Sequence, residues 1–379
     1  MVARPKFRAT CAVLLAAVLL SPSARALVSL NDGTDHLYIT GTGSVAYDSN
    51  IFARADSAGD FIYSAGLILD YARRAGLIGI NASVAVNAAR FGDNTTQDFN
   101  NPAFTAEFIK ATGRTTGALK LSAARESEAD ALIGARTQSW IYLGDFNFKY
   151  PVIERYSFSG DFGYLDRVYD QPTVLTDLET FTAGANLLYA LTSTRDLVAG
   201  YQHRRSETSA HSSYDDHAFK VGVAGQILAK LSGALSAGYE VRNPRGASKD
   251  GDYHGLTASG TLTWTVSRKL SVAGQLSRDT SITAGNQSVD ATTAGLTAQY
   301  MFNDKLALVG NAGAGKSRFL NSLDAGRHDE YLTGGTSLKY KMNPHLDSSL
   351  AYVFDKNWST VADSNFTRHT ISLTLSSRW

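Results

Sequence analysis

The segment from Thr367 to Trp379 alternates strictly. Ile371, Leu373, Leu375 and Trp379 fall on one parity, and Thr370, Ser372, Thr374, Ser376 and Arg378 on the other. Side chains point to opposite faces of a strand in turn, so this segment has one oily face and one wet face. The same period of two recurs along the chain, in Phe61, Tyr63, Leu67, Leu69 and Tyr71, then in Ile78, Ile80, Val84 and Val86. Alternating runs such as Gly255–Thr265 and Ala291–Phe302 have the ~9–11 residues a tilted strand needs to cross a bilayer. Strands of globular proteins peak nearer ~5–6. No window after the N-terminus offers the ~20 consecutive apolar residues of a membrane helix. The pattern predicts an all-β fold: one transmembrane, antiparallel, up-and-down β-barrel with lipid outside and water within. A soluble sandwich or propeller also alternates, but the strands here are too long for it.

The N-terminus supplies the export route. Arg4, Lys6 and Arg8 form a basic start, Ala12 to Leu20 an apolar run, and Ala24-Arg25-Ala26 a cleavage site of the A-x-A kind. Residues 1–26 therefore read as a cleaved signal peptide and 27–379 as the barrel. Cys11, the only cysteine, leaves with the signal, so no disulfide or thiol chemistry is expected. Cleavage removes four basic residues and no acidic one, leaving 32 basic against 35 acidic. That near-neutral balance excludes nucleic acid as a partner. The location expected is a Gram-negative outer membrane, with outer-membrane lipid and the barrel-assembly machinery as partners.

Polar connections alternate between short and long. Long ones are expected at 48–60, 90–102, 125–136, 166–177, 204–216, 242–254, 278–290, 316–330 and 355–366. Short ones are expected at 73–76, 112–115, 149–154, 191–196, 228–231, 266–269, 302–305 and 341–345. This gives eighteen strands, or sixteen if 103–111 or 195–203 is not one. Short turns then mark the periplasmic rim, where both termini lie. Pro102, Pro151, Pro172, Pro244 and Pro344 all fall in these connections, as expected of residues that cannot donate to a ladder.

The two faces differ in chemistry. Trp140, Tyr142, Phe146, Phe148 and Tyr150, continued by Tyr156, Phe158, Phe162 and Tyr164, suit headgroup boundaries on the lipid side. The inward register carries hydroxyls, among them Thr257, Ser259, Thr261, Thr263 and Thr265. Amides and charges of both signs interrupt it. The lumen candidates are Glu107, Lys120, Arg155, Asp161, Gln202, Lys220, Glu240, Gln275, Gln299 and Asn311. Barrels of this size leave an aqueous channel unless plugged, and this lining suits neutral or weakly charged polar solutes better than strongly ionic ones. Arg125, Glu126, Glu128, Asp130 and Arg136 are the candidate constriction loop.

Other motifs carry less. Gly310-x-x-x-x-Gly315-Lys316-Ser317 matches a phosphate-binding loop in letters. That chemistry needs a parallel strand before it and a helix after it, and neither pattern is present, so it reads as a strand end. His203, His211 and His217, with Asp215 and Asp216, lack the spacing of a committed metal site and read as a solvated loop. The carboxylates Glu126, Glu128 and Asp130 suit a charged loop better than a glycosidase pair. No catalytic residue, cofactor or metal is expected.

Tyr47-Asp48-Ser49-Asn50-Ile51-Phe52 resembles the first hairpin of the putative β-barrel porin-2 family, which typically carries Tyr-Asp-x-Asn-Ile-Phe. Ser57-Ala58-Gly59-Asp60-Phe61 is similar to the start of the family's second strand, and Arg368-His369-Thr370-Ile371-Ser372-Leu373 to its closing strand. The terminal Trp379 departs from the commoner Phe but still provides the aromatic end of an assembly signal. The resemblance implies an outer-membrane barrel of about eighteen strands and a frequent link to exopolysaccharide or capsule export, with polysaccharide and periplasmic export components as partners. The function expected is a passive outer-membrane channel for a polar solute, by polysaccharide export or as a general porin. The alternatives are a structural or adhesive barrel, and an outer-membrane hydrolase.

Overall fold

The structure is a computed structural model that describes residues 28–130, 135–171, 175–246, 251–320 and 326–379. The expected signal segment and Pro172 lie outside these residues. Among the described residues nineteen strands follow one another: β1 (Val28–Leu30), β2 (Asp35–Asp48), β3 (Asp60–Arg73), β4 (Gly79–Phe91), β5 (Phe99–Lys110), β6 (Thr116–Asp130), β7 (Ala135–Ile153), β8 (Tyr156–Tyr169), β9 (Leu178–Thr192) and β10 (Arg195–Thr208). The second half holds β11 (Ser212–Leu228), β12 (Leu231–Gly246), β13 (Tyr253–Thr265), β14 (Leu270–Ile282), β15 (Ser288–Met301), β16 (Leu306–Phe319), β17 (His328–Asn343), β18 (Leu346–Ser359) and β19 (Phe366–Arg378).

Every neighbouring pair from β2 to β19 is antiparallel, and β19 returns to β2, from Thr370 beside Asp48 to Arg378 beside Thr40. Eighteen strands thus close the barrel, and the segments 103–111 and 195–203 are strands of it. The seam ends on Trp379 and Ile39, which exchange two backbone hydrogen bonds of 2.9 Å. Closure removes both sheet edges, as a lipid environment demands. β1 extends the seam below β19 by pairing Val28–Leu30 with Leu37–Asp35.

Outward side chains are those the alternation assigns to lipid: Val45 and Tyr47 on β2, Phe61, Tyr63, Leu67 and Leu69 on β3, Leu276 on β14, and Ile371, Leu373 and Leu375 on β19 are all exposed. The two aromatic stripes face the same way and pair across β7 and β8, with the Phe146 and Phe162 rings 6.2 Å apart.

Two expectations need correction. The polar stretches 125–136, 204–216 and 278–290 are mostly strand, because β6, β7, β10, β11, β14 and β15 run on through them. The β10–β11 connection is only residues 209–211. Ladder hydrogen bonds do not stop where lipid stops, so a hairpin with polar side chains reads as loop in composition while remaining paired. The prolines err for the same reason. Pro102, Pro151 and Pro244 lie inside β5, β7 and β12. Each sits where only one neighbour pairs: Pro102 with Val86, Pro151 with Ser157 beside a bulge, Pro244 with Tyr214. The missing N–H then has no ladder partner to lose.

Candidate channel lumen and extracellular mouth

From mid-depth down to the short-turn rim the inward face is wet. Thr261, Thr263 and Thr265 are exposed, as are Lys120, Gln226 and Asn311. Thr257 donates to the Arg278 carbonyl at 3.0 Å. Glu107 faces Lys120 across β5–β6 and accepts from the Asn81 amide at 3.2 Å. The Asn186 amide donates to Asp161 at 3.0 Å, and Lys220 donates to Gln202 at 2.8 Å. Gln275, Gln299 and Asn311 share the inward parity, opposite Leu276, Tyr300 and Leu308. Arg155 is placed differently from the expectation. It sits in the exposed two-residue turn between β7 and β8, with its guanidinium 3.4 Å from the outward Tyr189 hydroxyl. A strand parity cannot be extended into a turn.

Burial concentrates at the long-loop rim, which is extracellular by the porin asymmetry. There the inward Asp48, Ile51, Phe91, Tyr214, Arg242 and Val289 are all nearly inaccessible. Two hairpins produce this narrowing.

The first is the extracellular half of β14–β15. Pairing between β13 and β14 ends at Ala258 and Arg278, while β14 and β15 stay paired up to Ile282 and Ser288. Freed from the wall, the hairpin lies across the inward faces of β12, β11 and β10. Arg204 on β10 binds Asp279 of the hairpin (2.8 Å), Asp216 of β11 (2.6 Å) and Glu240 of β12 (3.0 Å), and donates to the Thr280 carbonyl (2.9 Å). Arg242 grips Asp216 through two hydrogen bonds of 2.7 Å, stacks over Tyr214, and donates to Ser288 at 2.7 Å. Two guanidiniums and three carboxylates therefore interlock, with Asp216, Glu240 and Arg242 buried and Asp279 half-exposed at the edge, and the buried charges are tolerated because each has partners. The hairpin tip reaches further. The Thr176 amide donates to the Ala284 carbonyl at 2.8 Å, and the Asn286 side chain bonds both Thr208 (2.9 Å) and Ser212 (3.0 Å). Asn286 adopts φ 59°, a left-handed turn that asparagine tolerates.

The second is the extracellular half of β6–β7. β5 and β6 part above Ala103 and Ala124, and the freed hairpin covers the inward faces of β5 and β4. Arg136 lies 5.2 Å over Phe91 and 5.7 Å over Phe99, and donates to the Ser127 carbonyl at 2.9 Å. Ala129 packs with Ala53 of the β2–β3 loop and Phe366 of β19. Arg136 stands beyond Trp140 and Tyr142, outside the lipid span. Burial and the neighbouring Arg368 charge pull its guanidinium down to about 10, opposed by Asp48 and Glu128. It is thus still cationic at neutral pH. Asp48 pairs with Arg368 across the seam, with one contact at 2.9 Å, and accepts from the Asn50 amide at 3.0 Å.

Of the candidate constriction residues, Glu126 lies 3.8 Å from the inward Arg167, Glu128 lies near Arg136, and Asp130 ends β6 at the tip. Arg125 shares the outward parity of Leu121 and donates to Gln138 (2.7 Å) and Asp170 (2.5 Å), away from the mouth. The histidine cluster divides as well. His203 and His217 are outward strand residues with rings 4.9 Å apart, and His211 is in the turn. Lys316 of the glycine-rich decoy lies in β16 and pairs with Glu330 at 2.7 Å.

Sequence reasoning missed the β14–β15 hairpin as an inward element. A usable signal was the clustering of Arg204, Asp216, Glu240 and Arg242, four charges on the inward parity of three neighbouring strands, whose lower part carries only Asp196 and Lys220.

No curated protein matches the chain. Among solved structures it is similar to Pseudomonas aeruginosa OccK2 (OpdF), with 11% identity, a TM-score of 0.50, and coverage of 91% of this chain and 97% of that one. A second crystal structure of OccK2, in complex with glucuronate, aligns at 12% identity with the same TM-score and coverage. Pseudomonas aeruginosa OpdO aligns at 13% identity and a TM-score of 0.50, over 91% of this chain and 97% of that one. At such identity the likeness is one of fold. The first hairpin, Tyr47–Phe61, lies outside the region matched by a family model, whereas the closing strand lies within it. Over residues 201–378, from β10 to the closing strand, the chain matches the family described as putative beta-barrel porin 2, the family that its first hairpin and last strand resemble.

Proposed function

We propose that this porin-like outer-membrane barrel passively passes neutral or weakly charged hydrophilic solutes, with polysaccharide as the cargo class. The observation that carries the reading is the inward register, where hydroxyls and amides stay open to water at mid-depth while the charges at the mouth are paired with one another. A solute would meet many exchangeable hydrogen-bond partners and no dense ring of one sign. The frequent link of similar barrels to exopolysaccharide export supports the cargo class, as does the occurrence of a sugar acid in the OccK2 crystal structure. Outer-membrane lipid, the barrel-assembly machinery and periplasmic export components are the partners proposed with it. Planar bilayers test the channel directly: stable single-channel steps with little cation or anion preference are expected, and permeation of neutral oligosaccharides into liposomes should follow.

A second reading rests on the packed mouth. With Ile51 and Val289 wholly inaccessible and three loops bonded around Asn286 and Ala284, the barrel would be sealed and act as a surface or adhesive element. Absence of conductance in protein shown to be inserted would favour it.

A further inference from the structure

The outer face of β10–β13 carries a layered patch that neither the lumen nor the hydrocarbon accounts for. The ladder aligns His203 with His217, His217 with Val241, and Val241 with His254. One step toward the periplasm, the same strands present Tyr201, Phe219, Tyr239 and Leu256. One step outward they present Arg205, Asp215 and Asn243, and beyond these Glu207, Ser213 and Arg245. All share the parity of the exposed Phe219 and Tyr239, opposite to the inward Arg204, Asp216 and Glu240. Moving up the wall, aromatic rings give way to imidazoles and then to guanidiniums, in steps of ~7 Å.

The layers are connected. The Tyr201 hydroxyl and His217 Nδ1 are 2.7 Å apart, and the Tyr239 and His254 rings stack at 6.3 Å. Arg205 pairs with Glu207 and Arg245 with Asp215, both at 2.6 Å, yet their side chains remain 53% and 63% exposed. A guanidinium has five N–H donors and a fork that fits phosphate. These two therefore keep donors pointing outward just above the aromatic row that marks the headgroup boundary.

We infer that the His203–His217–His254 row, with Arg205 and Arg245 above it, is a binding site for the phosphate-bearing headgroup of an outer-leaflet glycolipid. The aromatic row below is continuous with the lipid-facing band, so acyl chains lie against Phe219, Val221 and Leu256 while the headgroup reaches the imidazoles and guanidiniums. The site is independent of what passes through the lumen.

The test uses the full chain in phosphatidylethanolamine vesicles containing bisphosphorylated lipid A or its dephosphorylated form, with native mass spectrometry counting glycolipid retained after transfer to mild detergent. Selective retention of the phosphorylated form is expected. Arg205→Gln with Arg245→Gln should lower it about tenfold, the equivalent of one lost charge-assisted contact. Lys316→Gln, which removes an outward cation on β16 away from any histidine row, should leave it unchanged. Inorganic phosphate should not displace the lipid, since it lacks the acyl contacts. Equal retention of both glycolipids by the unaltered protein overturns the assignment. An equal loss in the Lys316 variant also overturns it, by making the effect one of general charge. Heat-modifiable electrophoretic mobility shows which variants have folded, and the wild-type comparison needs no variant at all.

Discussion

Arg242 has 2% of its side chain exposed, and Asp216 beneath it 3%. Such a pair is tolerated because every oxygen and nitrogen finds a partner, and it is intolerant of losing one. Arg242→Met should destabilise the folded barrel by roughly 1–3 kcal/mol, since it leaves the buried Asp216 Oδ1 without a partner while Arg204 still holds Oδ2, and denaturant unfolding in detergent micelles checks this. A matching loss in Asp216→Asn, and a double variant little worse than either single one, would show the two acting as a unit. Trp379 is a milder case at the other rim. Its indole stacks on His345 at 4.2 Å and 3°, so Trp379→Ala should cost about 1 kcal/mol beyond its buried area, seen as a lowered melting temperature of the refolded barrel.

At the scale of the element, the two inward hairpins differ in how they are held. β14–β15 is fixed by ion pairs and loop-to-loop hydrogen bonds, β6–β7 by an arginine on two phenyl rings and a small apolar cluster. Replacing Thr280–Ser288 with a short glycine-serine turn should raise single-channel conductance, because it clears the faces of β10–β12. High salt should leave both hairpins in place, since a pair as buried as Arg242 and Asp216 is screened far less than an exposed one. Conductance of the wild type should then rise in step with bulk conductivity. The strands themselves were legible from the alternation of Leu, Ile and Thr, because lipid and water impose the period of two directly. The hairpins were not. Arg136 and Asp279 leave the wall through the absence of a neighbouring ladder, and pairing between strands distant in sequence leaves no mark in local pattern. Pro102 and Pro244 misled for the same reason, since a strand with one free flank looks like a loop in its residues.

For the whole molecule, the assignment of faces makes the broadest prediction. Leu296 faces lipid at mid-height, in a ladder row with Leu262, Gly274 and Ala312, and Thr297 faces the lumen beside it. Leu296→Arg should cost about 2–4 kcal/mol and Thr297→Arg far less, measured as the difference in unfolding free energy from phospholipid vesicles. Equal costs would reverse inside and outside. The seam has a further consequence. Arg368 meets Asp48 across a separation of 320 residues, so the last ladder closes the chain's longest loop and carries the largest entropic cost if formed alone. Until the strands pair, each oily row is split into single side chains spaced by polar ones. A chaperone ferrying the chain across the periplasm would find no long greasy stretch to grasp and must hold many scattered residues at once, with a grip loose enough to release them strand by strand.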